Sequence, residues 1–270
     1  MQEDIFIDAE VASKIIDTVI YYDCRYRLAE SDWGEGEYRK GHIPGAYFFD
    51  LNRDLAGKVD VEGGRHPLPD LEIFKEKLEK TGLTDNTTAI CYDDNLSGAS
   101  RMWFLLNFIG HSNTFILNGG IEAWKRVGDP VETNIPSHRI NGKISLKLNN
   151  SILVDMDKVR ESIGKYQIID VRDETRFLGK SEPIDRIPGR IPGSINLPFQ
   201  NLMNGAYLKS EEELRDILKS AEDNTILYCG SGVTSCVTFA VLKMLGKNPV
   251  LYLGSYSDWI SHKGNNVEHG

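Results

Sequence analysis

The chain has 270 residues and a formal net charge of −9, with 40% hydrophobic and 26% charged residues. These values suit a soluble globular protein of one or two domains. The negative charge argues against a nucleic-acid partner, because phosphate binding needs a concentrated basic surface. No stretch approaches the ~20 apolar residues that span a bilayer, and the acidic N-terminus lacks the apolar segment of a secretory signal. We therefore expect a cytoplasmic protein with no membrane partner.

Short apolar runs alternate with helix-like stretches throughout the first half of the chain. Three of these runs end at a loop, and a Gly-x-Ile-Pro-Gly element lies between the first and the second. In chain order these landmarks are residues 19–25, 41–46, 89–94 and 115–124. Such an alternation predicts a mostly parallel central sheet flanked by helices.

The second half of the chain repeats the same landmarks in the same order. The corresponding segments are residues 167–172, 189–194, 226–230 and 250–259. Because this order is hard to obtain by chance, we predict a duplication into two related α/β domains. The first domain is placed at residues 1–130, a proline-containing linker at 131–142 and the second domain at 143–270.

The second apolar run of this half ends at Cys229, where two glycines turn the chain into a helix-like segment. The carboxyl end of a parallel strand lies at the edge of the sheet where ligands bind. A cysteine there also faces free N–H groups at the helix start, which favour a thiolate over a thiol. Gly230 and Gly232 allow a tight loop around the sulfur. Ser231 and Thr234 add hydroxyl donors, so we predict that Cys229 is a nucleophile.

The other three cysteines are Cys24, Cys91 and Cys236. In the cytoplasm all four should be reduced, and no pair has the C-x-x-C spacing of a zinc site or a thioredoxin-type redox pair. Cys236 lies about two helical turns after Cys229, so we interpret it as a packed core thiol rather than a resolving cysteine. The sequence predicts no metal site and, without a phosphate-binding glycine fingerprint, no cofactor.

The repeated Gly-x-Ile-Pro-Gly elements, an aspartate before each and a tryptophan near each end resemble the rhodanese family, specifically its two-domain sulfurtransferases. The resemblance covers nearly the whole chain and implies tandem rhodanese-like domains. The loop at residues 229–234 is similar to the active-site loop of 3-mercaptopyruvate sulfurtransferases. It implies that Cys229 and Ser231 are catalytic. The substrate-binding part of the loop would consist of Gly230, Gly232, Val233 and Thr234.

The resemblance also implies substrate-binding residues outside this loop. Arg176, in a Thr-Arg-Phe segment, and Arg186 match the two arginines that hold the substrate carboxylate in the family. His66, in a His-Pro-Leu-Pro motif of a turn-rich insertion, resembles a histidine that the first domain contributes to the active-site cleft.

Two positions depart from the family's active-site pattern. The aspartate that works with the histidine in the family is Asn52 here, so this chain lacks the third member of a Ser-His-Asp relay. In the first domain, the position that matches Cys229 is Asp93 or Asp94, so we predict that this domain has lost the nucleophile and is structural.

The resemblance implies a sulfurtransferase that carries sulfur as a persulfide on Cys229. The donor would be 3-mercaptopyruvate, with thiosulfate as the second choice, and the acceptor would be cyanide or a thiol, with thioredoxin as a candidate. Thiosulfate-preferring members carry basic residues after the cysteine. Here Gly230 and Ser231 occupy those positions, which favours 3-mercaptopyruvate.

Two other functions compete with a sulfurtransferase. A cysteine phosphatase is disfavoured, because the phosphate-binding arginine that it needs six residues after the nucleophile is Ser235 here. A persulfide-relay or binding module without small-molecule turnover stays open as the alternative.

Overall fold

A computed structural model describes residues 4–137 and 142–270. Residues 1–3 and 138–141, which belong to the N-terminal and linker predictions, lie outside this description. Within the described ranges, none of the helices has the length and apolar composition needed to cross a membrane. The same ranges contain no group of three or more His, Cys, Asp or Glu side chains that could bind a metal.

The first domain alternates strands with helices. Its strands are β1 (Phe6–Ile7), β2 (Val19–Asp23), β3 (Tyr47–Phe48), β4 (Thr88–Tyr92) and β5 (Thr114–Leu117). Its helices are α1 (Ala9–Ala12), α2 (Trp33–Lys40), α3 (Leu71–Lys80), α4 (Ser97–Phe108) and α5 (Gly120–Arg126), with a 3₁₀ turn over Ser13–Thr18. The sheet has the order β1-β5-β4-β2-β3, and every neighbouring pair is parallel.

The second domain repeats this architecture and adds a hairpin. Its strands are β6 (Leu153–Val154), β7 (Ile168–Asp170), β8 (Ile195–Asn196), β9 (Met203–Asn204), β10 (Tyr207–Leu208), β11 (Ile226–Tyr228) and β12 (Val250–Tyr252). Its helices are α6 (Met156–Ser162), α7 (Glu174–Phe177), α8 (Glu211–Ile217), α9 (Ser235–Met244) and α10 (Ser255–Trp259), with 3₁₀ turns over Asn150–Ile152 and Phe199–Leu202. The parallel sheet has the order β6-β12-β11-β7-β8, and β9 pairs with β10. The matching strand order confirms the predicted fold class.

An aspartate–arginine pair at the end of a central strand explains why the same sequence landmarks occur twice. Asp23 ends β2, and Arg25 Nη2 donates to its carboxylate at 2.6 Å and to the Gly41 carbonyl at 2.8 Å. Arg172 Nη2 donates to Asp170 at 2.6 Å and to the first glycine of its own Gly-x-Ile-Pro-Gly element at 2.7 Å. All four charged side chains are buried. Each pair therefore fixes a loop to the sheet.

Helices α4 and α9 pack against each other and join the two domains through one continuous apolar core. Phe104 of α4 meets Phe239 of α9 edge to face, with ring centroids 5.1 Å apart. The ring centroid of Trp103 lies 6.3 Å from that of Phe239, and all three rings are buried. This contact holds the two sheets at a fixed distance, so that segments of the first domain reach the second.

The segments on both sides of the undescribed linker residues contact the first domain. Glu132 pairs with His42 through two backbone hydrogen bonds of 2.9 Å. Beyond the gap, the Lys147 N–H donates to the Ile109 carbonyl at 2.9 Å. The predicted boundaries of the linker and of the second domain stay predictions.

Replacing Phe239 with alanine should lower the free energy of unfolding by about 3–5 kcal/mol, because the change leaves a cavity between the domains. Chemical denaturation followed by tryptophan fluorescence measures this loss. The control is Ile73→Ala on α3, where the side chain is 67% exposed. It should change the stability by less than about 0.5 kcal/mol. Equal effects of the two substitutions would contradict a core that spans both domains.

Candidate active site

Cys229 follows β11 at the carboxyl edge of the second sheet, and α9 starts at Ser235. The loop between them folds back around the sulfur and leaves Cys229 2% exposed. Gly232 makes this turn possible. Its φ is +74°, and a Cβ there would lie 2.0 Å from the Leu253 carbonyl oxygen. This position therefore requires glycine.

Hydrogen-bond donors surround the Cys229 sulfur. The Gly232 N–H lies 3.1 Å from Sγ, and the Ser235 hydroxyl lies 3.4 Å away. Burial raises the pKa of the Cys229 thiol, but hydrogen bonds from the Ser235 and Thr234 hydroxyls and from backbone N–H groups outweigh it. Together they lower this pKa to about 7. A large share of the sulfur is therefore ionised near neutral pH.

The other three cysteines lie in surroundings that suppress the thiolate. Burial raises the pKa of Cys236 to about 12, and it raises the pKa values of Cys24 and Cys91 well above the ordinary range. Cys236 Sγ donates to the Gly232 carbonyl at 3.3 Å. All three side chains are buried, which agrees with the interpretation of Cys236 as a packed core thiol.

His66 of the first domain reaches across the cleft to the loop that surrounds the sulfur. Its Nδ1 lies 2.7 Å from the Ser231 hydroxyl, and its Nε2 lies 3.1 Å from Asn52 Oδ1. Because an amide oxygen only accepts, Nε2 carries the proton and Nδ1 accepts from Ser231. Burial, followed by the charges of two nearby arginines, lowers the pKa of His66 to about 3. The imidazole is thus neutral, and Asn52 orients it in place of the family's aspartate.

Arg101 on α4 links the two domains at this point, and it is missing from the residues predicted from the sequence. Its side chain is fully buried. Nη1 donates to the Gly232 carbonyl at 2.9 Å, while Nη2 donates to the carbonyls of Leu55 and His66 at 3.0 Å each. Arg101 therefore sets the position of His66 relative to the loop. The sequence signal that points to it is a lone charge within an otherwise apolar helix.

The two predicted substrate-binding arginines have different surroundings. Arg176 lies beside the loop, since its Nη2 would be 3.3 Å from a Cβ at Gly230. It also donates to Glu182 at 3.0 Å and to Asp185 at 2.8 Å. Arg186 is exposed and lines an open cavity of about 430 Å³ that Asp185 also lines. The role of both arginines in substrate binding stays a proposal.

A third arginine, Arg65 of the first domain, also faces the loop and is missing from the sequence predictions. Its Nη2 would lie 2.9 Å from a Cβ at Gly230, and its Nη1 contacts the Asp185 carboxylate. The Arg65 N–H donates to the Ser257 hydroxyl at 3.1 Å, which holds the turn-rich insertion against the second domain. Its position next to His66 is the only sequence signal that points to it.

In the first domain, Asp93 takes the place of the cysteine. Asp93 follows β4 as Cys229 follows β11, which decides between the two predicted positions, Asp93 and Asp94. Its carboxylate accepts the backbone N–H groups of Leu96 and Gly98 at 2.7 Å each. The equivalent loop of the first domain thus encloses a fixed carboxylate instead of a thiol.

Comparison with known protein families agrees with this architecture. The family model described as a rhodanese-like domain matches residues 8–127 and, a second time, residues 155–262. The chain belongs to the rhodanese family. The predicted family and the predicted pair of rhodanese-like domains are confirmed.

Relatives place the chain among the sulfurtransferase enzymes of this family, as predicted. It is 35% identical over 255 residues to a probable 3-mercaptopyruvate sulfurtransferase of Pseudomonas aeruginosa, which covers 90% of this chain and 89% of that protein. It is 32% identical over 280 residues to the putative thiosulfate sulfurtransferase SseB of Mycobacterium tuberculosis, with coverage of 97% and 95%. The structure of 3-mercaptopyruvate sulfurtransferase from Leishmania major superposes with a TM-score of 0.83 at 30% identity, over 94% of this chain and 73% of that one.

The rate at which iodoacetamide alkylates Cys229 should rise with pH and level off above a midpoint near pH 7, because the thiolate is the reacting form. Ser235→Ala removes a hydroxyl donor and should move the midpoint to higher pH. Mass spectrometry of the modified peptide gives the rate. Cys236 in the same samples is the internal control and should stay unmodified over this range. A wild-type midpoint at the ordinary thiol value of about 8.5 would contradict the stabilised thiolate.

Proposed function

We propose that this enzyme moves sulfane sulfur from 3-mercaptopyruvate, with thiosulfate as the second donor, through a persulfide on Cys229 to a thiol or cyanide. The observation that supports this most is a buried sulfur whose pKa is lowered to about 7 by surrounding donors. Such surroundings stabilise a thiolate before the transfer and a persulfide anion after it. The names of the two relatives, one for each donor, support the choice of donors.

In the first half-reaction the Cys229 thiolate attacks the sulfur of the donor. An S–S bond forms as the C–S bond breaks, and the electron pair of that bond leaves with the carbon as the enolate of pyruvate. The enolate carbon then needs a proton. Ser231, whose hydroxyl lies 2.7 Å from His66 Nδ1, stands in the loop beside Cys229. It can relay to that carbon the proton that leaves the donor's S–H group.

In the second half-reaction the acceptor attacks the outer sulfur of the persulfide. The S–S bond breaks, and Cys229 leaves as a thiolate that the hydrogen bonds of the loop stabilise. The acceptor must reach a sulfur on a residue that is 2% exposed, which favours a small thiol, cyanide or an extended protein segment. Thioredoxin remains the candidate protein acceptor. A reducing cytoplasm, the location proposed from the sequence, would keep the four free cysteines as thiols.

The charges beside the loop support 3-mercaptopyruvate as the preferred donor. Gly230 and Ser231, the two residues that follow the nucleophile, carry no charge. A donor with one carboxylate needs fewer free cations than the thiosulfate dianion.

Steady-state turnover with each donor and a thiol acceptor tests the proposed reaction. With 3-mercaptopyruvate the wild type should form pyruvate and sulfide. Its kcat/KM for this donor should be higher than its kcat/KM for thiosulfate. Cys229→Ala should reduce product formation to background with both donors, because no residue then carries the sulfur. Cys91→Ala, at a buried cysteine of the first domain, is the matched control and should stay active.

Three outcomes of this assay would change the conclusion. Persulfide exchange without turnover would favour the relay or binding module. Turnover by Cys229→Ala would refute the proposed nucleophile. Equal or better efficiency with thiosulfate would reverse the proposed donor preference.

Ser231→Ala should lower kcat for one sulfur donor much more than for the other. Pyruvate release needs a proton on carbon, whereas sulfite leaves thiosulfate without one. We expect kcat with 3-mercaptopyruvate to fall roughly 10²-fold and kcat with thiosulfate to change less than about threefold. Equal losses with both donors would show that Ser231 supports the loop geometry instead of the proton transfer.

A further inference from the structure

One carboxylate, that of Asp185, holds two guanidinium groups beside the catalytic loop. Its Oδ2 accepts from Arg176 Nη2 at 2.8 Å, and its Oδ1 contacts Arg65 Nη1. The Asp185 side chain is 2% exposed, and both guanidinium groups lie beside Gly230, the neighbour of Cys229. We infer that Asp185 occupies, in the empty enzyme, the place of the donor's carboxylate, and that Arg65 is a donor-binding residue. This inference rests on the proposed function, since it names where that donor binds.

One N–H group of Arg65 is available to the carboxylate of 3-mercaptopyruvate. Its Nε is buried, and within the described part of the chain it has no hydrogen-bond partner. A carboxylate that binds a guanidinium bidentately takes two N–H groups together. Asp185, in contrast, contacts Arg65 through Nη1. The donor's carboxylate can therefore satisfy a buried group that Asp185 leaves unpaired, which removes an unfavourable contact.

The charges of this network balance before any donor binds. Three arginines and three carboxylates are linked by ion pairs: Arg65, Arg172, Arg176, Asp170, Glu182 and Asp185. A bound donor adds a carboxylate to this network, and the net charge of the network then becomes negative unless one carboxylate leaves. The donor and a resident carboxylate therefore compete for the same arginines.

Asp185 is the carboxylate that is free to leave. Glu182 is also held by Arg172 at 3.1 Å, and it accepts two backbone N–H groups of its own loop. Within the described residues, the Asp185 carboxylate contacts only Arg65 and Arg176. Asp185 lies in residues 178–194, which contain no helix or strand, and both of its sequence neighbours are exposed. The cavity of about 430 Å³ that it lines gives the displaced side chain room.

Asp185→Asn tests this competition, because it keeps the shape of the side chain and removes its charge. We expect KM for 3-mercaptopyruvate to fall about tenfold while kcat stays within about threefold. Arg65→Gln should raise the same KM about tenfold or more. Asp60→Asn, at an exposed carboxylate that lines the same cavity, is the matched control and should change KM less than about twofold.

Calorimetric binding of pyruvate in a Cys229→Ala background separates this inference from the proposed reaction, because it needs no turnover. Tighter binding with Asp185→Asn and weaker binding with Arg65→Gln would support the inference even if neither donor reacted. Unchanged or weaker binding with Asp185→Asn, or no pyruvate binding by any variant, would overturn it. A larger loss of pyruvate affinity with Arg186→Gln than with Arg65→Gln would assign carboxylate binding to Arg186 and overturn the role of Arg65.

Discussion

The site depends on the hydrogen bonds that converge on one buried sulfur atom. Cys229 is 2% exposed, yet hydrogen bonds from the Ser235 and Thr234 hydroxyls and from backbone N–H groups outweigh the effect of burial and lower its pKa to about 7. Burial without such donors raises the pKa of a thiol, as it does for Cys236 on the following helix. The strand β11 places the cysteine, α9 supplies donors, and a glycine with a left-handed backbone closes the loop.

The duplication lets two copies of one loop serve different purposes. In the first domain the backbone N–H groups bind the carboxyl group of Asp93, so that copy of the loop is already filled by a side chain of its own. The first domain instead contributes side chains to the site in the second domain. His66 contacts Ser231, and Arg101 contacts the Gly232 carbonyl. The site therefore belongs to both domains, and the packing of α4 on α9 sets the distance between their contributions.

Features that depend on local sequence could be predicted here, and features that depend on the domain interface could not. The repeated apolar runs and Gly-x-Ile-Pro-Gly segments predict the duplication, and the glycine turn after a strand predicts Cys229. Arg101 reaches a carbonyl 131 residues away, and Arg65 reaches Asp185 across 120 residues. No local pattern shows which group a long charged side chain will meet at such separations. The carboxylates around Arg176 lie only six and nine residues from it, but the sequence does not show that the irregular segment after α7 folds back to pair them with it.

The sulfur that passes from donor to acceptor should be directly visible as added mass on Cys229. Intact-mass spectrometry of the protein after treatment with 3-mercaptopyruvate, without an acceptor, measures this directly. We predict a gain of one sulfur atom per chain, which digestion maps to Cys229 and which a thiol acceptor removes. No gain in mass, or a gain that maps to Cys24, Cys91 or Cys236, would contradict the role of the stabilised thiolate.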